Sequence, residues 1–316
     1  MQNRDPKRAA PFLSREIILI LLMFALIALN SFLFPHAFFN LANFSAVLRG
    51  LAFDGIMVCG MTLLLVAGTF DLSVGGTFSM GGVLAGWMMK SAGLPVSLSV
   101  LLALLGALAA GLLNGVIIAR VRVNALIATL GTMGIYRGIA VLVGGPGINF
   151  LPPSFSRPGQ AVFLGLQGPV WLMIFVALVS SFLLARTRFF RQYYFIGNNA
   201  IAARLSGIDV PKLQITAFAL MGFLAGLAGV AFASRIGTSV SIAGDGAELR
   251  VITAAILGGA SLNGGKGTIW GALLGVFFVA LINNALIIGS VSSYWQSIIV
   301  GVVLVGAVAL DRFIKE

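Results

Sequence analysis

Apolar residues run along this chain in long blocks separated by short polar clusters. Charge-free stretches occupy 17–48, 91–119, 158–185, 213–234 and 267–310. Each can hold a helix of the ~20 mostly apolar residues needed to cross a bilayer. Shorter runs at 55–70, 72–89, 123–136, 138–156 and 251–265 reach near-spanning length if one boundary or buried charge is admitted. Gly289, Ser290, Ser292 and Ser293 mark a turn that divides the last stretch in two. The pattern predicts ten helices, near 17–34, 50–69, 76–90, 95–119, 124–144, 167–185, 213–234, 248–262, 268–288 and 294–311. The third and eighth are short and Gly-flanked.

Composition turns this pattern into a class. Residues of the AVILMFWYC set make up 59% of the chain and charged residues only 9%. Soluble domains carry about 25% charged residues. A soluble surface could not be covered with so few, so the expectation is an all-α integral membrane protein. It is read as a single transmembrane domain over 1–316, without a folded soluble domain. The first apolar run lacks a small-x-small cleavage site and reads as a permanent span. Cys59, the single cysteine, lies in an apolar run and reads as a small buried residue.

The net charge of +11 is spread between apolar runs, which argues against a nucleic-acid footprint. In a membrane protein it reports orientation instead. With ten spans both termini share a side. If that side is the cytoplasm, it collects fourteen basic residues: four on the tail 1–16, Arg120 and Arg122, five along 186–212, Lys266, Arg312 and Lys315. The opposite side or its edge holds five, Arg49, Lys90, Arg157, Arg235 and Arg250. The bias predicts cytoplasmic termini. It makes 145–166, with four prolines, an external loop of extended, semirigid cover. It makes 186–212 the longest cytoplasmic loop.

Soluble-enzyme chemistry is missing. The stretch GGASLNGGKGT (258–268) suggests a phosphate loop but has the wrong spacing, since Ala260 stands where the first glycine is needed and Gly267 follows Lys266. His36, the only histidine, reads as an interfacial residue beside Pro35. No metal cluster or nucleophilic triad is expected, no cofactor, and no catalytic role. Ionisable residues within spans are costly and mark function by default. Three qualify: Asp54, Asp71 and Arg137. Asp54 and Arg137 could pair with each other. Asp71 lies where an apolar helix is interrupted at Gly68 and resumes after Gly75 and Gly76. Asp71 and Ser73 either cap the new helix or belong to a pathway or gate. A chain of acidic groups across the bilayer, as in a proton-driven pump, is absent.

The loop RTRFFRQYYFIGNNAIAARLSGIDVPKL (186–213) carries the most specific local signal. Asn198 or Asn199 is a good N-cap and Gly207 a good stop, leaving about two turns of helix. Ile201 and Leu205 share a face, and Ala200, Ala202 and Ala203 permit close approach. Such a helix either docks a partner or lies on the headgroups. In a docking contact, Ala202, Ala203, Leu205 and Gly207 are the expected contact residues, with Arg204 on the polar side.

Three motifs carry a family resemblance. AGTFDLSVGG (67–76) is similar to a G-G-x-D-L-S-V-G element, GNNAIAARLSGI (197–208) to a G-x-N-x-x-A-A-R-L-S-G-I loop, and ELRVITAAILGGASLNGGKGTIWGALLG (248–275) to an E-L-x-x-I-A-A-x-x-L-G-G-x-S-L-x-G-G-x-G element. Together, in this order, they resemble the permease subunit of bacterial ABC importers for simple sugars of the ribose, xylose and galactoside type. The likeness covers nearly all of 17–311. Thr69 and Phe70 stand where Gly-Ile is usual, and Arg250 where an acidic or small residue is common.

The resemblance implies a type II permease fold of ten helices, like the vitamin-B12 importers. It implies a pore made with a second permease chain, identical or paralogous. A separate cytoplasmic ATP-binding protein would use the ATP, and a periplasmic or extracellular sugar-binding protein would deliver a pentose or hexose. The location implied is the bacterial inner membrane. Asp71, Leu72, Ser73, Gly75, Gly76, Ser261 and Asn263 become candidate pathway or gate residues. Asn199, Ala200, Ala202, Ala203, Arg204, Leu205, Ser206 and Gly207 become the coupling helix to the ATPase. The rival reading is a self-sufficient secondary transporter or channel for a small polar solute. A membrane-embedded enzyme lacks its acid–base or metal constellation.

Overall fold

The computed structural model describes residues 15–292 and, beyond them, 295, 298–299, 301–303 and 305–306. Most of the tail 1–16 and most of the helix expected at 294–311 therefore lie outside the described residues. Helices dominate: α1 (Arg15–Leu33), α2 (Pro35–Phe38), α3 (Leu41–Val66), α4 (Val74–Lys90), α5 (Val96–Ala119), α6 (Ala125–Gly144) and α7 (Pro153–Gln160). A two-stranded hairpin follows, β1 (Val162–Phe163) and β2 (Leu166–Gln167). Then come α8 (Gly168–Arg186), α9 (Arg188–Asn198), α10 (Ala200–Leu205), α11 (Val210–Ile236), α12 (Ala247–Leu257) and α13 (Ile269–Ile288). Six of these, α3, α5, α6, α8, α11 and α13, are long and apolar enough to cross a membrane.

Burial sorts the six. In its most apolar window α3 has 78% of positions buried and α11 61%, whereas the other four have 28–33%. Helices α3 and α11 therefore form the centre, and the others turn wide apolar faces outward, toward lipid. The centre is close-packed because α11 carries a small-residue stripe. Side chains at Gly222 and Gly226 would overlap Ala107 of α5, and one at Gly229 would overlap the Phe78 carbonyl of α4. Backbones approach here as they do at small-xxx-small crossings in membranes, where dispersion rather than the hydrophobic effect holds helices together.

Several boundaries differ from expectation. Helix α3 starts nine residues before the predicted position 50, capped by Asn40, whose side chain accepts from the Asn43 amide at 2.7 Å. Arg49 lies within this helix. The helix expected at 248–262 stops at Leu257, because Gly258 packs directly on Gly271 of α13 and the chain then turns. Loop 145–166 is an ordered cover but is partly helical rather than extended: Pro153 opens α7, as proline suits a first turn. This loop is tied to the end of α11 through Ile148 N to Ser239 O (2.9 Å) and Leu151 N to Gly237 O (3.0 Å). Beyond Gly237, in the left-handed conformation at φ +72°, residues 238–246 run back along α4. There Ser239 Oγ donates to Gly82 O (2.8 Å) and Gly244 N donates to Ser79 Oγ (2.9 Å). Helix α12 thus begins deep in the molecule.

Candidate functional site: a broken helix, a glycine knot and two ion pairs

The break between α3 and α4 is built from its carboxylate. Asp71 Oδ1 accepts from the Ser73 amide at 2.7 Å and from Ser73 Oγ at 2.6 Å. This is a local Asx turn that replaces the missing helical bonds. Ser73 sits at the N-cap of α4, but its side chain makes no cap bond there. Asn114 of α5 then closes a network, donating to Ser73 Oγ at 2.8 Å and to Asp71 Oδ2 at 3.4 Å. Tyr136 of α6 donates its hydroxyl to Asn114 Oδ1 (3.2 Å) and Ala110 O (2.9 Å). Asp71 is 1% exposed and Asn114 fully buried. The carboxylate thus organises three helices around one turn. Asn114 and Tyr136 were not anticipated; a lone asparagine within the apolar run 96–119 was the available signal.

Gly75 and Gly76 serve packing. A side chain at Gly75 would overlap the Gly244 carbonyl and the Glu248 carboxylate, and one at Gly76 would press on Met133 and Tyr136 of α6. Leu72 is half-buried against the main apolar core.

The three sequence motifs meet at the end of the molecule where α3 stops. Gly265 N donates to Val66 O at 2.9 Å, and Tyr194 of α9 donates its hydroxyl to Gly267 O at 2.8 Å. A Cβ at Gly197 would overlap the Val66 carbonyl and the Gly265 amide, so only glycine lets α9 lie flat on this loop. Gly264 and Gly265 have φ of +85° and +73°, a region closed to most side-chain-bearing residues. Loop 258–267 is held by its own bonds, Ser261 N to Lys266 O and Gly264 N to Ser261 O, both 3.0 Å. Ser261 is buried and Asn263 is exposed. The candidate pathway residues therefore separate into two groups, Asp71 with Ser73 in the buried network and Ser261 with Asn263 in this knot.

Helix α10 grows directly out of the knot. Asn199 Oδ1 caps it, accepting from the Ile201 and Ala202 amides at 3.0 Å each, and Gly207 ends it at φ +83°. Ser206 donates back to Ala202 O. Ile201 (73%) and Leu205 (86%) face outward with Ala202 and Arg204, and Ala200 is half-buried. Ala203 corrects an expectation: at 4% exposure it is packed into this chain's own core and offers no surface to a partner.

The intramembrane charges also pair differently. Asp54 does not meet Arg137. Arg250 of α12 donates to both Asp54 oxygens, Nε at 3.0 Å and an amino group at 3.3 Å. Arg137 of α6 instead binds Glu248 at 3.0 and 3.2 Å and lies 3.4 Å from Asp245. The inward run of 238–246 explains both pairs, since it carries α12 to the mid-helix depth of α3 and α6. It also accounts for the departure at Arg250, whose partner Asp54 lies 196 positions earlier. Among the described residues no cluster of His, Cys, Asp and Glu could hold a metal ion.

Residues 43–308 match the family model described as the branched-chain amino acid transport system / permease component. The chain belongs to this permease family. The permease is 37% identical over 285 residues to the autoinducer 2 import system permease protein LsrC of Salmonella paratyphi B, covering 89% of this chain and 82% of that one. It is 35% identical over 299 residues to its counterpart from Photorhabdus luminescens, covering 94% and 90%. For Klebsiella pneumoniae subsp. pneumoniae the values are 36% over 305 residues, covering 96% and 87%. No solved structure matches. These relatives are import permeases, not enzymes, and the resemblance read from the three motifs holds.

Proposed function

We propose that this permease is the pore subunit of an ATP-driven importer for a small sugar-like solute in a bacterial inner membrane. On this reading ten helices form a type II permease fold, and two permease chains, identical or paralogous, enclose the pore. Both termini and residues 186–212 face the cytoplasm, and 145–166 faces outside. An extracytoplasmic binding protein delivers the solute, and a separate ATP-binding subunit docks on α10. The single observation that carries the reading is α10 itself. A two-turn helix with bare Ile201 and Leu205 sits on a rigid knot that also holds the end of α3 and the loop leading into α13. A push on α10 would reach two spans at once, because Gly197 of α9 packs on the main chain of both Val66 and loop 258–267 and Tyr194 bonds Gly267 O. The Asp71 network lies one turn further along the same path and fits a gate or a hinge.

Leu205→Glu tests this. Leu205 is outside the core, so the variant should fold. It would place a charge into an apolar contact and weaken ATPase association by about 100-fold, a cost near 2.7 kcal/mol. Co-purification and ATP-dependent uptake into proteoliposomes, assayed with autoinducer 2, D-ribose and D-xylose, should fall together. Normal uptake by the variant without any ATPase would establish the self-sufficient transporter instead. Asp71→Asn separates gate from hinge. Asparagine keeps the acceptor for Ser73 but sets its amide against the Asn114 donor, so lost uptake marks a role in the path only where the assembled variant also keeps wild-type thermal stability.

A further inference from the structure

A second polar feature lies away from the Asp71 network and the glycine knot. A cavity of about 400 Å³ opens between the first half of α3, the start of α12 and the last half of α13. That volume is within the roughly 300–1,000 Å³ of small-molecule sites. Its wall combines three aromatic rings with amide and ionic groups. Phe53, Phe78 and Phe232 form a mutual cluster with ring centroids 5.3–6.5 Å apart.

Hydrogen-bonding capacity around the cavity is unevenly used. Asn43 and Asn284 satisfy each other by reciprocal amide bonds of 3.1 and 2.7 Å. Asp54 is taken by Arg250. Arg235 is different. Its guanidinium lies over the Phe53 ring at 5.9 Å and has no carboxylate partner among the described residues. Arg49, one helical turn before Phe53, also lacks a carboxylate partner among the described residues. A guanidinium that is partly withdrawn from water and lacks a counter-charge is stabilised by an anion. Asn283 Oδ1, which also lines the cavity, is buried without a hydrogen-bond partner, so the spare capacity combines one acceptor with the Arg235 donors, and the uncompensated charge is positive.

We infer that this cavity is a solute site within one permease chain, taking a small polyhydroxylated compound that carries one negatively charged oxygen group. Arg235 receives the oxyanion, as guanidinium groups do through charge-assisted bonds. The ring cluster covers the apolar face of the solute, and the Asn43–Asn284 pair exchanges its mutual bonds for hydroxyls. This goes deeper into the import function proposed above and rests on it for the identity of the solute as cargo.

The test is equilibrium binding to the full-length purified permease in nanodiscs of phosphatidylcholine, with D-ribonate and D-ribose as probes. D-ribonate should bind saturably, at least tenfold tighter than D-ribose. Arg235→Gln should weaken ribonate at least tenfold, and Arg235→Lys, which keeps the charge, should restore part of the loss. Monodispersity of each variant separates lost binding from lost folding. Equal affinity for the two probes, no binding up to ~10 mM (near −2.7 kcal/mol), or indifference to Arg235→Gln would overturn the site. Nanodiscs with phosphatidylglycerol distinguish a lipid source: Arg235-dependent retention of that lipid without ribonate binding would mean a headgroup site and overturn the solute reading. Binding needs no ATPase. If the ATPase associates but ribonate does not bind, this site fails and the import function stands. If ribonate binds but no ATPase associates, the reverse holds.

Discussion

The knot at the end of α3 and the charged region at mid-depth solve the same problem by opposite means. Each must hold irregular backbone among apolar helices, where every unpaired polar group is costly. The knot uses backbone against backbone. Gly264 and Gly265 let loop 258–267 bond the Val66 carbonyl through its main chain, and Gly197 lets α9 pack directly on both. The mid-depth region uses long side chains. Arg250 reaches Asp54, and Arg137 reaches Glu248, to pin a helix that starts inside the protein. Backbone contact has no slack, so the knot moves as one piece. Ion pairs can exchange partners, and Arg137 lies within reach of both Glu248 and Asp245. The first suits transmission of a push and the second suits a path that must rearrange as solute passes.

This contrast can be broken. Gly197→Val should have the largest effect. Its side chain would meet backbone on two sides, and backbone cannot rotate away as a side chain can. A cost of about 3 kcal/mol or more is expected, seen as loss of monodisperse protein on heating in detergent. Arg250→Leu comes next. It strands the Asp54 carboxylate and should cost about 2–3 kcal/mol, less than for a fully buried pair because these side chains are 29% and 18% exposed. Adding Asp54→Asn should recover most of that loss; no recovery would mean that Arg250 acts by packing alone.

Tyr136→Phe should be milder. It removes the donor to Asn114 and Ala110 and leaves two buried acceptors short, a cost of about 1–2 kcal/mol. Its midpoint should fall between those of Arg250→Leu and wild type. Leu205→Glu should change stability least, within about 0.5 kcal/mol, as at other exposed positions. Ala203→Glu, two positions earlier, should instead destabilise the chain by about 2 kcal/mol or more, because it drives a charge into the core. If the two substitutions behaved alike, the inward turn of Ala203 would be wrong.

Much of this protein was legible in one dimension. Apolar runs and scarce charge specify a helical membrane protein, because bilayer thickness sets run length locally. The helix stop at Gly207 and the Asn199 cap are also local, since each depends on the conformation of one residue and bonds two or three positions away. The turn at Asp71 and Ser73 belongs to the same class. What tertiary structure alone decided are the partnerships across the chain. Asp71 with Asn114, Asp54 with Arg250 and Arg137 with Glu248 join residues 43, 196 and 111 positions apart. Nothing in their own neighbourhoods selects those partners. The choice depends on where residues 238–246 turn back inside the bundle, and that in turn depends on α4 and α11 approaching closely enough for Ser79 and Gly82 to hold the returning chain.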